Sequence, residues 1–252
     1  MMIDRDYLAT YLDDYLKCAE FKDLGPNGLQ VEGKPEIKKI VTAVSAGVEL
    51  FEKAIEQKAD AVLVHHGIIW NFERPVYKGG YKKRIKTLLE NDINLLAYHL
   101  PLDAHPEVGN GWEIARVLGL ENIESFGEYN GQLVGACGDL HSLDAEIFIE
   151  KIKDNVNPDI LSFPFGPEYI NKVGIISGGA QKEIKQAVAD GLDLYLTGEV
   201  SEHIFNYAKE EGIHFVSAGH YATEKFGILA LGNHLKSKFE IEVEFIDIPN
   251  PV

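Results

Sequence analysis

The chain has 252 residues, 45% of them hydrophobic, and a formal net charge of −16 from 40 acidic and 24 basic residues. That length supports one sizeable core or two smaller lobes, and the acidic excess opposes general binding to a phosphate backbone. No apolar run approaches the roughly 18 residues of a membrane span. Acidic residues among the first apolar ones argue against a signal peptide, and Cys18 and Cys137 lack metal or redox spacing, so reduced thiols and a cytoplasmic location are expected.

Read in order, Tyr7, Leu8, Tyr11, Leu12 and Tyr15 fall on one face of an amphipathic helix. Ile40–Ala46 reads as a strand, Val48–Gln57 as a helix and Asp60–His65 as a strand. Lys82–Glu90 follows as a helix, overlapping the densest basic run (Lys78 to Lys86), and Ile93–His99 as another strand. This β-α-β-α rhythm marks a layered α/β fold and returns from Lys172 to Phe245. KKIVTAVSAGVELFEKAIEQKADAVLVHHG and NKVGIISGGAQKEIKQAVADGLDLYLTGEV each give strand, small-residue turn, helix and strand. INLLAYHLPLD and IHFVSAGHYATE each end a strand at His with a carboxylate four residues later, aligning His99 with His220 and Asp103 with Glu224. The expectation is a single domain over residues 1–252, α/β in class, made of two related lobes by internal duplication. Lobe one covers about 1–120 plus a C-terminal helix–strand return, and lobe two about 121–252. The stretch Leu120 to Asn171, with strand QLVGACGDL, a helix from Ala145 to Lys153 and the turn FPFGPEY, reads as packed body or lobe junction.

Chemistry gathers at strand ends, where open α/β sheets bind ligands. His65 and His66 close an apolar, β-branched run before Gly67. Neighbouring strand residues point to opposite sides; Gly67 permits a turn there, and two ions side by side accept one imidazole each. Asp103 follows the strand ending in His99, past Pro101, whereas His105 falls on an exposed loop. His220 and Glu224 share a helix face at i, i+4 if a helix begins near Gly219. Glu199 and His203 repeat that spacing and suit a supporting or acid–base role. Each set alone also fits an ordinary cap, turn or surface pair. Together they supply imidazole and carboxylate without thiolate, which suits Zn, Fe, Mn, Co or Ni. Five ligands exceed what one tetrahedral zinc needs, so two ions sharing a carboxylate are expected. A pair roughly 3.5–4 Å apart would lower the pKa of a bridging water, a hydrolase arrangement.

GPNGLQVEG (residues 25–33), LVHHG, YHLPLDAH, LTGEVSEH and AGHYATEKFG, in that order over nearly the whole chain, resemble the Nif-three-like family, often labelled GTP cyclohydrolase I type 2 homologues. The resemblance implies two α/β lobes facing a cleft with two divalent metals, ligated by His65, His66, Asp103, His220 and Glu224, with His99 beside them as a weaker ligand. It further implies a homohexameric ring, and the short 120–171 stretch matches the compact form without an inserted domain. Relatives often read Asp-Asn-x-Gly-Leu where this chain has Gly25-Pro26-Asn27-Gly28-Leu29, which leaves no acid at that position. The implied function is a metal-dependent hydrolase of a nucleotide-like or other small substrate, with Glu199 or His203 moving protons. The alternative is a metal-delivery or scaffold protein working through protein partners. No motif reads guanine, and Ser177-Gly178-Gly179 before a helix reads as a tight turn rather than a phosphate cradle.

Overall fold

Residues 1–252 are described by a computed structural model. The chain is α/β and divides into two units, one of Met1–Leu102 with Ile228–Ile248, the other of Asp103–Gly227 with Pro249–Val252. No helix is long and apolar enough to cross a membrane.

The first unit is built on a five-stranded sheet. Its order is Glu242–Phe245, Lys39–Ser45, Ala61–His66, Asn94–Ala97 and Gly28–Val31. The first four strands run parallel and the last antiparallel. Unbroken burial along Ala61–His65 and Asn94–Ala97 is what a parallel sheet covered on both faces demands. Helix Val48–Glu56 turns Leu50, Phe51 and Ala54 into a core with Val41, Val62, Val64 and Leu95. Helix Arg5–Tyr15 buries Leu8 and Leu12 completely. Its tyrosines do not join them. Tyr7 is largely exposed, while Tyr11 and Tyr15 stack on each other and on the His234 ring. The expected five-residue face therefore splits: the leucines are buried, Tyr7 is exposed, and the Tyr11 hydroxyl pairs with His234 Nε2 at 2.5 Å.

The second unit carries a six-stranded sheet in the order Glu121–Tyr129, Gln132–Asp144, Tyr169–Ile175, Leu194–Thr197, His214–Ser217 and Leu161–Pro164. The three strands from Tyr169 to Ser217 are mutually parallel; the outer pairings are antiparallel. The hairpin joining the first two turns at Asn130-Gly131, both with positive φ (52° and 84°), as a two-residue hairpin loop requires. The stretch between Leu120 and Asn171 thus supplies three strands and helix Ala145–Asn155 to this unit. Part of the FPFGPEY turn is edge strand, where a proline costs no central ladder bond. Phe148, Ile149 and Ile152 of the helix pack on Ile175, Leu196 and Val216.

Parallelism positions the chemistry. In the first unit His65, His66 and His99 stand at or just past the carboxyl ends of neighbouring parallel strands. In the second, Ser177, Glu199 and His220 follow the carboxyl ends of three parallel strands.

Candidate metal centre

In the first unit three imidazoles meet. The ring centroids of His65 and His66 lie 4.7 Å apart, and those of His65 and His66 lie 5.1 and 5.5 Å from His99. One ligand atom from each falls within 4.8 Å of the others. The adjacent pair converges despite strand alternation: pairing with Asn94–Ala97 stops at Val64, while pairing with Lys39–Ser45 continues to His66. Gly67 does not take positive φ. Its missing side chain instead makes room for the Gln30 amide, whose Oε1 accepts from Ile68 N at 2.8 Å.

Each of these rings is anchored through Nδ1. His65, fully buried, places Nδ1 3.0 Å from the Tyr98 carbonyl. A carbonyl only accepts, so Nδ1 carries the proton and Nε2 is the basic nitrogen. His66 Nδ1 lies 3.0 Å from Ser45 Oγ, and His99 Nδ1 2.7 Å from Asp23 Oδ1. Asp23 also accepts from Leu24 N, Asn27 Nδ2 and Leu100 N at 2.6, 3.0 and 3.0 Å. Burial pushes the Asp23 carboxyl upward, but the bonds from His99, Asn27 and Leu24 prevail and hold it below its ordinary value.

The second unit holds the carboxylates. Helix His220–Phe239 starts at His220, and His220 Nε2 lies 3.0 Å from Glu224 Oε1, the i, i+4 pairing the spacing predicts. His220 Nδ1 lies 2.6 Å from Glu199 Oε1. Burial disfavours the charged imidazolium, but the Glu224 and Glu199 carboxylates outweigh it and raise His220 to about 9. Asp103 is buried and accepts from Asn110 Nδ2 at 2.8 Å and Ser177 Oγ at 2.9 Å. Gly178, at φ +67°, lies against the Glu224 carboxylate so closely that a Cβ would collide with it. Its N–H donates to Thr223 Oγ1 and its carbonyl accepts from Gly198 and Glu199 N–H, a tight turn as expected.

Glu199 and His203, expected at an i, i+4 spacing, do not lie on one helix. Ser201 is extended and helix Glu202–Glu211 begins after it, so Glu199 precedes the helix and turns to His220, while His203 is exposed. Sequence reasoning missed Asp23, Ser45 and Asn110, and read Ser177 only as part of a tight turn and not as a partner of Asp103. Their spacing to the groups they hold, from 7 to 76 residues, carries no periodic signal. Only Asp23 had an indirect one, lying four residues before Asn27 of the GPNGLQVEG motif.

The donor set fits a divalent transition metal. Asp103 and Glu224 are buried carboxylates at 6% and 3% exposure, a placement that is expensive without cationic or hydrogen-bonding compensation. Four imidazoles are fixed through Nδ1, the arrangement that orients Nε2 for ligation. Cys18 and Cys137 are free thiols elsewhere in the chain.

The chain matches the family model described as Duf34/NIF3 (NGG1p interacting factor 3) over residues 3–251. Proteins named GTP cyclohydrolase 1 type 2 homolog share 46% identity with it in both Haemophilus influenzae, over 97% of this chain and 98% of the relative, and Pseudomonas aeruginosa, over the full length of both. The crystal structure of TTHA1606 from Thermus thermophilus superposes with a TM-score of 0.92 at 36% identity, covering 99% of this chain and 100% of that one.

Proposed function

This chain belongs to the Duf34/NIF3 family, and from that premise we propose that it is a metal-dependent hydrolase of a nucleotide-like or other small substrate, holding two divalent transition-metal ions. The observation that supports the reading best is the set of imidazoles each engaged through Nδ1, by Tyr98 O, Ser45 Oγ, Asp23 and Glu199. The proposed ligands are His65, His66, Asp103, His220 and Glu224, with His99 as a weaker one, for Zn, Fe, Mn, Co or Ni. When bound, the ions supply Lewis acidity toward a polarised C–N, amide or phosphoester bond. Asn110 and Ser177 orient Asp103. Glu199 holds a proton at His220 Nδ1, and Glu199 or the exposed His203 is the proposed group that moves protons. Three parallel strands followed by polar residues at their carboxyl ends recur in each unit, which supports an internal duplication. A homohexameric ring is the proposed assembly, tested by light scattering.

The experiment is to strip the protein of metal, restore Mn, Zn or Fe, and assay nucleotides, GTP among them, and phosphoesters. Turnover that Glu224→Ala abolishes is expected. If no substrate turns over faster than with Glu224→Ala, the hydrolase reading fails. Cation uptake and exchange to an acceptor without turnover would assign the same residues to metal binding or delivery.

A further inference from the structure

We propose that Asp23 is a positioning residue: its buried carboxylate accepts the Nδ1 proton of His99 and so presents His99 Nε2 to the His65–His66 cluster as a cation ligand. The inference rests on the metal reading above and deepens it.

The Asp23 side chain is only 2% exposed. Each of its oxygens takes two donors, Leu24 N and His99 Nδ1 on Oδ1, Asn27 Nδ2 and Leu100 N on Oδ2. A carboxylate held at four points cannot swing out to ligate an ion itself; its role is to hold something else. What it holds is His99, from two directions. Oδ1 takes the ring, and Oδ2 takes the backbone N–H immediately after it. Asn27, itself bonded to Asp23, accepts the His99 backbone N–H at 2.8 Å. Trp70 stands edge-on to the same ring, 5.4 Å between centroids at 88°, and limits its rotation. An anionic acceptor fixes the tautomer more firmly than a neutral one and makes Nε2 a stronger donor. His65 and His66 face the Tyr98 carbonyl and Ser45 hydroxyl at that position. Asp23 therefore offsets the more distant placement of His99, which follows its strand rather than ending it.

The test begins with metal-free wild-type protein carrying 15N-histidine in mildly alkaline buffer. His99, assigned by its loss in His99→Ala, is expected as the Nδ1–H tautomer, and Asp23→Asn is expected to shift it toward Nε2–H. Zinc titration calorimetry is expected to show a 10- to 100-fold weaker site in Asp23→Asn, and no further weakening when Asp23→Asn is added to His99→Ala. An Nε2–H tautomer in the wild type overturns the proposal and needs no variant. So does Asp23→Asn zinc affinity within twofold of wild type, or an equal loss in the His99→Ala background. Absence of any zinc uptake by wild type would instead remove the metal reading, and the ligand role of His99 with it.

Discussion

Gly178 shows how one residue sets the candidate site. Its φ of +67° and the Glu224 carboxylate at its α-carbon leave no place for a methyl group. Gly178→Ala should cost about 1–3 kcal/mol from backbone conformation alone and displace Glu224; thermal unfolding and zinc uptake should fall together, and a variant with native uptake would refute this account. His220 gives a pH prediction. Its folded value, about 9, stands above its ordinary 6.5. Its charged-state stabilisation in metal-free protein is thus complete below 6.5 and disappears as pH rises through about 9. A cation taking Nε2 must displace that proton, so binding near neutral pH should release about one proton from this ring and strengthen as pH rises. Calorimetry in buffers of differing ionisation enthalpy reads the release; a pH-independent affinity would contradict it. At this scale, ligand-type residues were legible because imidazole and carboxylate at strand ends announce themselves. Their anchors were not. Asp23, Ser45 and Ser177 act through contacts that only the folded chain creates, and nothing in a run of ordinary polar residues marks which one will face a ring.

Among the elements, buried parallel strands were the easiest to read, since apolar runs such as Ala61–Val64 and Leu194–Leu196 leave little alternative. Boundaries were harder. Helix Gly79–Glu90 starts three residues before the expected Lys82, because the paired glycines that argue against a helix interior are tolerated in its exposed first turn. The Glu199–His203 spacing misled for a related reason: an i, i+4 interval is meaningful only inside a helix, and the extended Ser201 begins this one too late. Helix Ala145–Asn155 is capped by Asp144, whose Oδ1 accepts from Glu146 N and Ile147 N. Asp144→Ala should cost about 1 kcal/mol and leave cation uptake unchanged. By contrast Phe148→Ala, at a fully buried position of the same helix, should cost about 3–5 kcal/mol. Urea unfolding distinguishes them, and equal losses would contradict the assigned core.

For the whole molecule, the α/β class followed from alternating strand and helix periodicities, which are local and are read without knowledge of long-range contacts. The C-terminal helix–strand return to the first lobe was an expectation, and Ile228–Ile248 groups with the first unit, where Glu242–Phe245 pairs in parallel with Lys39–Ser45. The first unit's leading segment ends at Leu102 rather than near residue 120, so residues 103–120 group with the second unit. If cations bind the folded state alone, saturation at 100 times the dissociation constant should add about 2.7 kcal/mol per site. A chelator should lower the unfolding temperature correspondingly. An unchanged unfolding temperature would oppose a resident metal.

The late pairing of Glu242–Phe245 also bears on how the protein is made. Strand Lys39–Ser45 leaves the ribosome long before its edge partner exists. At about 5–20 residues per second, the roughly 200 intervening residues take about 10–40 s to translate, during which a β-branched edge has open N–H and C=O groups. The nascent first unit is therefore the stage most exposed to aggregation and the one at which a chaperone would have most to protect.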